Sequence, residues 1–141
     1  MKLKINTALA PSAIGPYSQA IRCGDLIYTS GQLPLDPVTM KFPEGGIKEQ
    51  TFQSLKNIQS VLHESGSSME CVVKTTCFLS DLSHFSEFNE VYEHFFGTHS
   101  APARSCIQAA KLPMGALVEM EVVAWVPPDV PGSDTGKEIL R

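Results

Sequence analysis

The sequence is poor in everything that would mark a specialised class. No apolar run approaches the roughly 20 residues that a bilayer-spanning helix needs. Positive charge is not in excess: 11 Lys and Arg stand against 15 Asp and Glu, for a net charge of -4. That balance provides no general attraction for nucleic acid or an anionic membrane. The four cysteines, Cys23, Cys71, Cys77 and Cys106, show no CxxC spacing. A chain of 141 residues with a real core needs no disulfide staples, so they read as reduced thiols. The four histidines, His63, His84, His94 and His99, lack HExxH or any comparable spacing, and no metal is expected. The opening "MKLKINTALAPSAIG" has two lysines, no arginine and no sustained apolar core, so it is a poor signal or transit peptide. Internal repeats and low-complexity stretches are absent. The cytoplasm is the expected address.

What is present is an ordinary globular composition, 43% hydrophobic and 18% charged, which argues against disorder. Residues 1–126 read as one domain, and 127–141 as a loose tail after Pro127 and Pro128. Two helices stand out. In "IKEQTFQSLKNIQSVLHESG", Ile47, Phe52, Leu55, Ile58 and Leu62 are expected on one face, between Gly45-Gly46 and a C-terminal Gly66. In "SHFSEFNEVYEHFFG", Phe85, Phe88, Tyr92 and Phe95 or Phe96 form the stripe, Ser83 is the candidate N-cap and Gly97 the stop.

Strands are expected at "AIRC" and "DLIYTSG", joined by a tight turn at Gly24-Asp25, and at "ECVVKTTCFL". "RSCIQAA" and "LVEMEVVAWV" flank "KLPMG" and read as a second hairpin. The order strand, strand, helix, strand, helix, strand, strand predicts an α+β domain whose two helices pack on one sheet face. In the last strand Val118, Met120, Val122, Ala124 and Val126 alternate with Glu119, Glu121, Val123 and Trp125. The second set includes Val123 and Trp125, an apolar surface on the face that the helices leave bare. A second copy of the chain is the expected cover.

The chemistry centres on "APARSC". Arg104 and Cys106 share a face by the period of two. If Ile107 and Ala109 face the helices, Arg104 and Cys106 face the subunit contact, beside Glu119 and Glu121 of the neighbouring hairpin strand. Arg104 then either forms an interface salt bridge with one of these glutamates or clamps a ligand carboxylate. Its planar fork matches two carboxylate oxygens and keeps its charge at neutral pH. Cys106 lines the pocket or acts as a nucleophile, although no histidine is placed to be its base. Glu119 is a structural partner or orients a water. Tyr17, after Gly15-Pro16, is a packed ring or a pocket wall.

The segments "PSAIGPYSQAI", "YTSGQLPLDP", "GGIKEQTFQSLKNIQSVL", "VVKTTCFLSDL" with "FNEVYEHFF", and "PARSCIQAAKLP" with "VEMEVVA" resemble the RidA/YjgF reactive-intermediate deaminase family over residues 5 to 126. The resemblance implies a chorismate-mutase-like α+β fold and a homotrimer with clefts between subunits. It implies hydrolysis of 2-imino acids or their enamine tautomers, released by pyridoxal-phosphate dehydratases acting on serine and threonine, to 2-keto acids and ammonia. The named substrates would be 2-iminobutanoate and 2-iminopropanoate. Arg104 matches the arginine of the PARS strand and would hold the carboxylate, with Glu119 as the second catalytic residue. Tyr17, Ser30, Gly31, Asn89 and Cys106 would complete substrate binding. No cofactor is implied. The alternatives are an RNA-cleaving translation inhibitor, which the acidic balance opposes, and a carboxylate-binding regulator or holdase without turnover.

Overall fold

The computed structural model describes residues 1–128. The expected tail therefore lies, from residue 129 on, outside the described residues. Strands β2 (Ala20–Cys23) and β3 (Leu26–Thr29) form the first hairpin, with Cys23 opposite Leu26 across a two-residue turn. Gly24 takes the left-handed conformation that such a turn requires, with φ of 61°. An additional strand, β1 (Lys2–Ile5), pairs antiparallel with β2. Its "KLKI" lacks the β-branched run that marks the other strands.

Helix α1 (Ile47–Glu64) follows, then β4 (Val72–Leu79), helix α2 (Phe85–Phe96), β5 (Ala103–Gln108) and β6 (Val118–Trp125). The sheet order is β1-β2-β3-β6-β4-β5. The second hairpin expected from sequence does not form. β6 lies between β3 and β4, antiparallel to both, while β5 runs parallel to β4 at the sheet edge. The reason is α2: a helical crossover delivers the next strand parallel to the one before it. The "KLPMG" segment becomes a connection past β4, ending in the 3-10 turn Pro113–Gly115.

The alternation of β6 holds. Val118, Met120, Val122 and Ala124 are buried beneath the helices, packed with Leu55, Ile58, Val61 and Leu62 of α1 and Phe88 of α2. Phe52 does not join that stripe. It is 44% exposed and stacks on Phe95 at 5.4 Å, while Thr51 takes the buried position. The line of α1 that meets the sheet runs through Ile47, Thr51, Leu55, Ile58 and Leu62, at spacings of four and three, and Phe52 falls one residue off it. Ser83 is not a cap either. Asp81 accepts a hydrogen bond from the Ser83 backbone N–H at 2.8 Å, and the turn Leu82–His84 leads directly into α2. Gly97 closes α2 as expected. Among the described residues, no helix is long and apolar enough to cross a membrane.

Candidate active site in two halves

Register puts Arg104 opposite Thr75 and Cys106 opposite Cys77 on the parallel pair β4–β5. Thr75 and Cys77 are buried under the helices, so Arg104 and Cys106 lie on the helix-covered face. This reverses the sequence expectation: Ser105 and Ile107 take the bare face, and Ile107 is 52% exposed there. Glu119 pairs with Phe78 on that bare face. Arg104 and Glu119 are thus on opposite faces of one sheet, two strands apart with β4 between them. Neighbouring strands are about 4.8 Å apart, so one small substrate cannot touch both within a single chain.

The first half is built around Arg104. Its Nη1 donates to Asn89 Oδ1 at 2.7 Å. The guanidinium carbon lies 4.7 Å from the Tyr92 ring centre, 5.3 Å from Phe85 and 5.9 Å from Phe88. The Tyr92 hydroxyl is fixed in turn by Thr75 Oγ1 at 2.7 Å. Three aromatic faces and an amide oxygen therefore seat the cation without neutralising it. The ion pairs among the described residues are Arg22–Asp25 and Lys48–Glu90, and neither involves Arg104. Within one chain Arg104 is on the opposite sheet face from Glu119 and Glu121, so the alternative of a salt bridge to either is left to the contact between subunits. Beside the guanidinium is a groove of about 410 Å³ lined by Asn89, Tyr92, Glu93, Thr98, Pro102 and Arg104. Cys106 packs at the margin of the core, and burial pushes its thiol up while Arg104 pulls the other way. A neutral thiol is a poor nucleophile. Cys77 beside it is pushed up to about 12, chiefly by burial.

The second half collects Tyr17, Ser30, Gly31 and Glu119 around a cavity of about 510 Å³. Gly31 lets the Glu119 carboxyl lie against the backbone: a Cβ there would sit 2.7 Å from Glu119 Oε2 and displace it. The Glu119 carboxyl is raised above its ordinary value, first by desolvation and then by Glu121. Ser30 donates its hydroxyl to the Ser18 carbonyl, and the Tyr17 hydroxyl accepts from the Ile14 N–H at 3.3 Å. The seven residues expected from the sequence thus divide into Arg104, Asn89 and Cys106 on one half and Tyr17, Ser30, Gly31 and Glu119 on the other.

The family description "Endoribonuclease L-PSP" matches residues 7–126 of this sequence. The chain belongs to the RidA/YjgF family. RutC family protein PYRAB12510 of Pyrococcus abyssi is 47% identical over 121 residues, covering 86% of this chain and 94% of its own length. An Escherichia coli K12 relative named "Putative reactive intermediate deaminase TdcF" is 41% identical, covering 88% of this chain and 97% of that protein. The crystal structure of E. coli TdcF with bound serine matches with a TM-score of 0.84 at 38% identity, over 89% of this chain and 99% of that one. These likenesses establish the mixed α+β sheet with two helices as the family fold.

Within that family frame, several supporting residues escaped the sequence reading. Gln19 is buried and ties the cavity wall together: its Oε1 accepts from Thr7 N at 2.7 Å, and its Nε2 donates to Pro11 O at 2.8 Å. Phe85 and Tyr92 were assigned only to a helix stripe. Spacings of three and four from Phe85 through Phe88 to Tyr92, with Asn89 beside them, were the available signal. It needed the parallel β4–β5 pairing to place Arg104 beneath that stripe.

Proposed function

We propose that the protein hydrolyses 2-imino acids and their enamine tautomers to 2-keto acids and ammonia, at clefts that a homotrimer assembles from the two halves. The observation that carries this reading is the Arg104 guanidinium, seated only by neutral groups at the sheet edge. A half-buried cation kept available in this way suits a carboxylate. The TdcF relative with bound serine supports the same class of ligand, since serine carries an α-carboxylate.

Arg104 of one copy would grip the carboxylate, and Glu119 of the next would hold and deprotonate the attacking water. The water oxygen bonds to the imine carbon, and its proton passes through Glu119 to the imine nitrogen. In the resulting carbinolamine the remaining O–H proton passes to the amine nitrogen as the C–N bond breaks, giving ammonia and the keto acid. A protonated imine is already electrophilic, so placement and a proton path are the main requirements. An enamine is first protonated at its methylene carbon. The smallest substrates in the class are 2-iminopropanoate and 2-iminobutanoate, formed when dehydratases act on serine and threonine. The RNA-cleaving reading has no comparable support in the geometry, because the groove beside Arg104 carries that one cation together with Glu93 and not a basic track.

The test is capture of 2-aminoacrylate made in situ by a serine dehydratase. One charge-assisted bond contributes on the order of 1.5–3 kcal/mol. Arg104→Ala should therefore slow keto-acid release at least tenfold, with circular dichroism unchanged. Undiminished release by that variant would remove the clamp and the proposal with it.

A further inference from the structure

The proposed chemistry leaves one pair of thiols unused. Cys77 of β4 and Cys106 of β5 are direct partners across the parallel ladder. Both side chains lie on the helix-covered face: Cys77 is fully buried in the core there, and Cys106 packs against the same core. Neighbouring strands are about 4.8 Å apart, inside the range of about 4.4–6.8 Å between Cα atoms that a disulfide spans. The other two cysteines are placed elsewhere. Cys23 is exposed on β2, which β3 and β6 separate from β4. Cys71 is buried before the start of β4, with the Ser68 hydroxyl donating to its sulfur at 3.5 Å.

The two thiols of the pair are unequal. Cys106 is half-buried, so a small oxidant reaches it, whereas Cys77 is closed off from solvent. Cys77 is held only by a long hydrogen bond from its thiol to Thr75 Oγ1, at 3.8 Å. Cys106 follows Arg104 by two residues on the same face of β5. Oxidation of Cys106 as far as a sulfinate would be irreversible and would place a negative charge beside the guanidinium. That charge would compete with any incoming carboxylate.

We propose that Cys77 and Cys106 form a peroxide-modification site, in which Cys106 is oxidised first and Cys77 resolves it as a reversible disulfide, sparing Arg104 an anionic neighbour. The pairing stands apart from the deaminase reading, and its protection of turnover rests on that reading. In the first step the Cys106 thiolate sulfur attacks one oxygen of hydrogen peroxide. The S–O bond forms, the O–O bond breaks, and the departing hydroxide takes up a proton as water. The sulfur loses two electrons to the peroxide and becomes a sulfenic acid. The Cys77 sulfur then attacks the Cys106 sulfur: the S–S bond forms, the S–O bond breaks, and hydroxide leaves with the Cys77 proton as water. An added thiol reverses the disulfide by exchange. Burial keeps Cys106 mostly protonated, so the first step is slow and belongs to sustained exposure to peroxide.

The test treats the full chain with excess hydrogen peroxide, blocks the remaining thiols and maps the products by peptide mass spectrometry. The wild type should show a Cys77–Cys106 crosslink, about 2 Da lighter than the two free thiols. Cys77→Ser removes the resolving thiol at similar volume, and its Cys106 should instead gain about 32 Da as the sulfinate. After dithiothreitol, keto-acid release should return to within about twofold of the untreated level in the wild type, and stay about tenfold down in Cys77→Ser. The wild-type map needs no variant, so it tests the pairing even where Cys77→Ser fails to fold. Cys106 recovered from the wild type as a sulfinate, Cys106 left unmodified, or a crosslink through Cys23 alone would overturn the site. Equal recovery of the two proteins would overturn the protection. A crosslink in a protein that hydrolyses no imine before treatment would leave the site standing and overturn the deaminase reading.

Discussion

Arg104 and Glu119 are set up by opposite means. Arg104 lies over Tyr92, Phe85 and Phe88 with one amide partner, so its charge stays available. Glu119 is pressed against Gly31 and has Glu121 near it, so its ionised form is disfavoured. A carboxyl whose folded value is raised binds its proton more tightly in the folded chain than in the unfolded one. Its contribution then favours folding at low pH and is lost as pH rises through the raised value. Glu119→Gln, neutral throughout, should melt higher than the wild type at pH 7.5 and no higher near pH 4. Turnover needs the ionised form, so wild-type activity should fall on acidification at a pH above the ordinary carboxyl value of 4.5. Glu121→Gln removes the secondary cause, and its acid limb in a pH–rate profile should move downward.

At the scale of the element, α1 positions the cavity as much as it fills the core. Its buried face carries Gln50, Ser54 and Asn57, whose side chains hold Leu117, Gln32 and the 33–35 segment. In the sequence these polar residues stand beside the apolar positions of an amphipathic helix. What they held could not be read, because their partners are 22 or more residues away. Asn57→Ala strands the buried carbonyl of Leu35 and the half-buried one of Leu33 and should cost on the order of 1–3 kcal/mol. A drop of several degrees in melting temperature, with weaker keto-acid binding, is the expected result.

The elements themselves were legible where periodicity was strong: both helices, the Gly24 hairpin and the alternation of β6. Strand order was not. The connection from β5 to β6 is short enough for a hairpin, and nothing local says that β4 takes the place between them. The face of β5 was misjudged for a related reason. Ile107 looks more suited to a core than Arg104, yet a guanidinium can seat on aromatic faces and one amide oxygen while keeping its charge.

At the scale of the whole molecule, the account turns on the sheet face without helices. By register it carries Leu26, Tyr28, Val123, Trp125, Phe78 and Ile107, and Trp125 is 41% exposed. Among the described residues β5 ends the sheet with one side unpaired, and it carries Arg104. Another copy packed on this face would cover the apolar surface and bring an edge arginine toward a neighbour's Glu119. Val123→Glu, a charge placed on the covered face, should shift the sedimentation coefficient to that of a single chain and abolish imine hydrolysis together. The most direct measurement mixes two disabled variants, Arg104→Ala and Glu119→Gln, with subunit exchange verified by native mass spectrometry. The shared-cleft account predicts recovery of about a quarter of wild-type turnover, the share of clefts that random mixing in a closed ring builds with both groups intact. Exchange without recovery would contradict it.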